Sequence, residues 1–199
     1  MICIGLTGGF GSGKSTVSRL FKQRGIPVIS CDSIVGQLLR TKNIKKQIEE
    51  SFGKQYFLED GRVNRQKLAK LIFSSAESRK KLNGIIHPMV FKRIENALDR
   101  YRRKNTIAVV IEIPLLFETR SEKLFDIIIT VSAPYEMIKK RLGKTYSISD
   151  IQMRRKSQMS PARKEEMADI VIDNSGLLKD TKKQVDEIVK NIIRRSSHG

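Results

Sequence analysis

The chain has 199 residues, and 39 Lys and Arg against 21 Asp and Glu give it a net charge of +18. That length buries a substantial core and suits one compact domain with inserted lobes. No apolar run reaches the length of a membrane span, no signal-peptide pattern is visible, and Cys3 and Cys31 cannot form a disulfide framework, so a cytoplasmic protein without membrane segments is expected.

Residues 2–7 (Ile2-Cys3-Ile4-Gly5-Leu6-Thr7) read as a buried parallel strand. Directly after it, Gly8-Gly9-Phe10-Gly11-Ser12-Gly13-Lys14-Ser15 matches the phosphate-cradling pattern G-x-x-x-x-G-K-[ST]. Residues 16–21 follow as a helix with Val17, Leu20 and Phe21 on one face. Strand, glycine loop and helix are the context the motif requires. Tight turns at the glycines aim successive N–H groups at phosphate oxygens beside a helix N-terminus. Gly8, Gly9, Gly11, Ser12, Gly13, Lys14, Ser15 and Thr16 are therefore expected to hold a nucleoside triphosphate, with Lys14 on the β- and γ-phosphates and the Ser15 hydroxyl on Mg²⁺. The dinucleotide pattern G-x-G-x-x-G fails, because counting from Gly9 and Gly11 its third glycine falls on Lys14.

A second strand is expected over residues 27–31, with Asp32 immediately after it. Placing this strand beside the phosphate loop, as in kinase-type sheets, turns its carboxyl end toward the γ-phosphate. There Asp32 is able to accept or orient a hydroxyl proton. Its plainer reading is an N-cap for a helix starting at Ser33. Residues 32–106 then separate the second strand from the third, nearly all in helical pattern: 33–39, 44–52, 64–73 and 77–103. Asp60-Gly61 marks a turn, and Pro88 is expected to open a new helical segment after His87.

Further strands are expected over 107–113, 126–131 and 170–173. Glu112, near the end of the third, suits a carboxylate that holds Mg²⁺ through water, with Glu118 as the competing candidate. Residues 142–167 form a polar, basic insertion suited to a lid, and 177–193 an amphipathic helix before a short tail. The fold class is α/β: a P-loop kinase fold with a five-stranded parallel sheet flanked by helices, an inserted helical substrate lobe and a small lid. The expected domains are a nucleotide core (1–32, 105–141 and 168–199), a substrate domain (33–104) and the lid (142–167).

The basic residues gather at Arg100 to Lys104, Lys139 to Arg141, Arg154 to Lys156 and Arg194 to Arg195. Aromatics do not interleave with these runs as a stacking platform for single strands would, so the charge points to an anionic ligand and no nucleic-acid partner is expected.

Read together, Leu6 to Thr16, Asp32, Asp60 to Arg65, Leu82 to Pro88, Ile113 to Glu118 and Ala168 to Gly176 resemble the dephospho-coenzyme A kinase family over essentially the full length. The resemblance implies transfer of the ATP γ-phosphoryl group to the ribose 3′-hydroxyl of dephospho-CoA, with Asp32 as catalytic base. It also implies acceptor binding through Arg65 and His87, and Asn174 and Gly176 near the adenine. Arg65 also reads as a solvated helix residue, and His87 as a structural hydrogen bonder ahead of Pro88. Relatives carry an acidic residue where this chain has Ser30, and lid-base arginines where it has Lys140 and Lys144. Lysine keeps the charge but loses the planar fork. Lys144, Arg141 and Arg154 thus remain open as the cation on the transferring phosphate. Rival readings are another small-molecule P-loop kinase or a nucleic-acid-dependent NTPase.

Overall fold

The computed structural model describes residues 1–196. It divides into two compact units, Met1–Ser30 with Arg100–Gly199, and Cys31–Asp99.

The first unit contains a five-stranded, all-parallel sheet: β1 (Ile2–Gly8), β2 (Val28–Ser30), β3 (Ala108–Glu112), β4 (Ile127–Ser132) and β5 (Ile170–Asp173). Its order is β2-β3-β1-β4-β5. The expected adjacency of the second strand and the phosphate loop is therefore corrected: β3 lies between β1 and β2. Burial explains the arrangement. Ala108, Val109, Val110 and Ile111 of β3 are all buried, as an interior strand requires, whereas three-residue β2 buries only Ile29. The register pairs Leu6 and Ser30 with Glu112, Gly8 with Val131, and Ser132 with Asp173. The carboxyl ends of all five strands thus share one rim, where ligands bind in open α/β sheets.

Around the sheet in this unit lie α1 (Lys14–Gln23), α6 (Tyr135–Leu142), α7 (Ile148–Lys156), α8 (Pro161–Met167) and α9 (Leu178–Ser196). Val17 and Phe21 of α1 and Val185, Val189 and Ile192 of α9 close over Ile4, Leu6, Ile129 and Ile172 in one core. Each such side chain contributes about 1.5–3 kcal/mol by leaving water. The opposite face is covered by Leu116, Phe117 and Ile128 with Phe125, Met159 and Met167. The terminal tail, 197–199, lies outside the described residues.

The second unit is helical, with α2 (Cys31–Leu38), α3 (Lys42–Phe52), α4 (Arg65–Ser74) and most of α5 (Ala76–Arg103). Asn64 caps α4 by accepting from the Lys67 amide at 3.0 Å. Between α3 and α4 the chain reverses at Gly61 (φ +73°), and Phe57 bridges Val63 antiparallel. Pro88 does not start a helix but sits inside α5. A proline there removes one helical hydrogen bond. Continuity is kept by the buried face of Leu82, Ile86, Val90, Ile94 and Ala97, which runs through the proline without a break.

Candidate active site

The phosphate loop joins β1 to α1. Gly13 caps α1 with φ +99°, and a Cβ there would lie 2.0 Å from Asn174 Nδ2. Only glycine meets both conditions. Gly8 is held similarly, since a Cβ would lie 2.5 Å from the Val131 carbonyl oxygen. Gly9 has open space around it, and Gly11 faces Ile138 and Leu142 of α6. Lys14 donates from Nζ to the Gly8 and Gly9 carbonyls, both at 3.0 Å, so its ammonium curls over the mouth of the loop. Ser15 is exposed and Thr16 half-buried in the first turn of α1, while the buried Ser12 Oγ has no hydrogen-bond partner among the described residues.

Asn174 is buried, and its side chain braces the loop. Nδ2 donates to the Ser12 carbonyl at 2.7 Å, and Oδ1 accepts from Thr181 Oγ1 at 2.9 Å. Its carbonyl accepts from Arg141 Nη2 at 2.8 Å, which draws the end of α6 toward the loop after β5. Gly176 follows, exposed, before α9. Replacing Asn174 by alanine strands the Ser12 carbonyl and the Thr181 hydroxyl. A loss of about 1–3 kcal/mol in urea unfolding is expected, together with a raised KM for ATP as the loop loosens.

Glu112 stands at the carboxyl end of β3 and accepts from Ser18 Oγ at 2.9 Å. Ser18 is one helical turn past Ser15, so α1 carries both hydroxyls on one side. Glu118 is engaged elsewhere: its Oε1 lies 3.0 Å from Lys164 Nζ and accepts from the Met159 amide at 2.8 Å. Among the described residues there is no cluster of three or more His, Cys, Asp and Glu suited to a metal.

Helix α7 and the residues on either side of it bring further groups to the loop. Phe10 donates its amide to Gln158 Oε1 at 2.8 Å and meets the Tyr146 ring edge-on at 5.3 Å. The Arg154 guanidinium lies 5.1 Å from each of these rings, and Arg155 lies 4.5 Å from Tyr135. Basic residues and aromatics that do not alternate along the chain therefore do stack in space. Lys144 is exposed in the turn after α6. Gln158, Thr181 and Lys164 carried no motif signal, and only their tertiary contacts reveal them.

In the helical unit, Asp32 is exposed in the first turn of α2. The helix begins at Cys31, so the expected cap at Asp32 becomes a position inside the first turn. Arg65 opens α4 and donates from Nη2 to the Gly36 carbonyl at 2.8 Å. His87 is half-buried beside Phe91, and burial lowers its pKa from the usual value of 6.5, which favours the neutral imidazole.

The model of the family described as dephospho-CoA kinase matches residues 2–180. The chain belongs to that family. A dephospho-CoA kinase of Bacillus cereus is 39% identical over 193 residues, covering 96% of each chain. One from Bartonella quintana is 39% identical over 199 residues, covering 98% of this chain and all of that one. Among solved structures, TT1252 from Thermus thermophilus superposes with a TM-score of 0.84 at 31% identity, over 96% of this chain and 97% of that one. Dephospho-CoA kinase from Campylobacter jejuni gives 0.69 at 24%, over 96% of each, a likeness of fold. Membership in the dephospho-CoA kinase family makes the protein an ATP-dependent phosphotransferase of coenzyme A biosynthesis. Among the described residues, no helix is long and apolar enough to cross a membrane.

Proposed function

We infer that the protein transfers the γ-phosphoryl group of ATP to the 3′-hydroxyl of dephospho-CoA. The observation that carries this reading is an intact phosphate loop inside a chain that matches the family model over residues 2–180. ATP docks on the loop from Gly8 to Thr16, and Lys14 exchanges the Gly8 and Gly9 carbonyls for β- and γ-phosphate oxygens. A lysine already poised at the loop mouth makes that exchange a short movement. Asn174 and Gly176 border the adenine, with the Asn174 side chain serving as a brace and the nearby backbone as the contact.

Ser15 and Glu112 fit a Mg²⁺ site: α1 presents the hydroxyl, and the Ser18 bond fixes the carboxylate one turn away. Mg²⁺ bound there would neutralise charge on the β- and γ-phosphates. Glu118 is a poorer candidate, because Lys164 and the Met159 amide already occupy its Oε1. Residues 33–104 form the acceptor domain, where Arg65 and His87 hold the acceptor, and Asp32, immediately before it, takes or orients the 3′-hydroxyl proton. As a neutral imidazole, His87 serves as a hydrogen-bonding group and not as a counter-ion to phosphate.

Residues 142–167 are the lid over the nucleotide core of 1–32, 105–141 and 168–199. Of its cations, Arg154 is held in the aromatic bracket of Phe10 and Tyr146, and Arg141 is anchored at Asn174, which suits both for the phosphates. Lys144 projects from the lid base. Because the transition state for phosphoryl transfer is loose, positioning and charge contribute more than basicity. The reaction is assigned to the cytoplasm, with small molecules as its partners and no nucleic acid.

The test is ADP release across a panel of acceptors: dephospho-CoA, AMP, nucleosides, shikimate and RNA. Strong preference for dephospho-CoA is expected. Preference for a nucleoside monophosphate, or hydrolysis stimulated by RNA, would overturn the assignment.

A further inference from the structure

Within the helical unit, a pocket of about 350 Å³ opens where α2 hands over to α3 and where α4 begins. Arg40, Lys45, Arg62 and Arg65 line it, Leu39 and Val63 contribute buried apolar surface, and no carboxylate is among its lining residues. Asp60 pairs with Arg62 beside the pocket, but one carboxylate against four cations leaves the concavity with an excess of positive charge that an anion would relieve. One of the four is fixed in place: Arg65 spends Nη2 on the Gly36 carbonyl at 2.8 Å, and a Cβ at Gly36 would lie 2.9 Å from that same nitrogen. Gly36 therefore lets a guanidinium lie flat on α2. Arg62 is oriented by Asp60, which also accepts the Arg62 amide at 2.9 Å. The first turn of α4, the end of a helix that favours anions, forms one wall.

The pocket and Asp32 belong to the same unit and to opposite ends of the same helix. Gly36 is one turn past Asp32, and α2 ends at Leu38, so the pocket begins about 10 Å further along the axis than Asp32 at 1.5 Å per residue. Such a separation suits two parts of one molecule, a sugar hydroxyl at Asp32 and a phosphate group at the pocket.

We propose that this pocket binds the 5′-diphosphate of the acceptor, with the apolar floor receiving the start of its pantetheine arm. Arg40 and Lys45 act here as specificity-determining residues, selecting an acceptor that carries a diphosphate over a bare nucleoside. The proposal rests on the acceptor being dephospho-CoA.

The test is calorimetric titration of the full-length protein with dephospho-CoA, comparing wild type with the double variant Arg40→Ser/Lys45→Ser. Both side chains lie at the surface of the pocket, and the thermal midpoint and the KM for ATP report whether the fold and the nucleotide core survive. About a tenfold rise in Kd is expected for each cation removed, equivalent to about 1.4 kcal/mol each, with a shallower dependence of binding on salt. Arg40→Lys should recover most of the affinity. An unchanged Kd in a folded double variant overturns the pocket assignment and leaves the reaction standing. If the wild type neither binds nor phosphorylates dephospho-CoA, the assigned reaction fails and takes the pocket with it.

Discussion

Replacing Lys164 by alanine is expected to remove about 3–5 kcal/mol of stability, the cost of breaking a buried ion pair from one side. Lys164 is fully buried, and its ammonium lies 3.0 Å from Glu118 Oε1 and 2.9 Å from the Pro114 carbonyl. Burial is the largest influence on it and lowers its pKa from 10.5, while the Glu118 carboxylate opposes that shift. Removing the ammonium leaves a carboxylate with one oxygen, Oε2, already buried without a partner among the described residues. Urea unfolding measures the loss directly, and the thermal midpoint should fall by about 10 °C for a chain of this length. The double variant Lys164→Met/Glu118→Gln should recover much of the deficit, since it removes both charges while keeping volume. A single variant within about 1 kcal/mol of wild type would show that the pair contributes little.

The same pair reaches toward the active site. The Pro114 carbonyl that accepts from Lys164 also accepts from Thr7 Oγ1 at 3.3 Å, one residue before the phosphate loop begins. Lys164 thus ties α8 to the rim beyond β3 and, through that carbonyl, to the end of β1. Loosening it should raise the KM for ATP as well as lower stability. A lysine between Arg163 and Glu165 gives no sequence signal of such a role, because the partner lies 46 positions away and becomes a neighbour only when the chain folds.

What could be read from the chain follows the range of the interactions involved. The phosphate loop was legible because glycines, lysine and serine at fixed spacing impose a local backbone shape, and Gly13 shows why: its φ of +99° and the 2.0 Å approach to Asn174 admit no side chain. The strands were legible as apolar runs, and β5 at Ile170–Asp173 keeps the expected bounds. Strand order was less legible. It depends on which run is buried on both faces, and short β2 yields the place beside β1 to the fully buried β3. Pro88 misled through a local preference that the buried stripe of α5 overrides. Asn174 was expected near the adenine only through the family resemblance, and its bracing bond to the Ser12 carbonyl spans 162 positions and has no local trace. Arg154 was legible as one of three candidate cations, but its place between Phe10 and Tyr146 depends on residues 144 and 8 positions away and has no local trace.

Asp32→Asn is expected to lower kcat by about 10²–10³, within the range for loss of a positioned general base, while the KM for ATP stays near wild type. The carboxylate is exposed in the first turn of α2, so the amide fits without disturbing packing. A looser transition state places the loss toward the lower part of the general-base range, because proton removal is only partly advanced when the phosphoryl group departs. The competing role predicts something else. If Asp32 serves only the helix N-terminus, the variant should show a small loss of stability and an unchanged kcat, since asparagine is itself a good residue near a helix start. Steady-state kinetics with dephospho-CoA, paired with thermal unfolding, separates the two. Asp32→Glu adds a further constraint: it retains the charge and the proton affinity but moves the carboxylate by one methylene, so activity between the wild type and the asparagine variant would point to position as the dominant contribution. Turnover preserved in Asp32→Asn would remove Asp32 from the chemistry and require another acceptor for the 3′-hydroxyl proton.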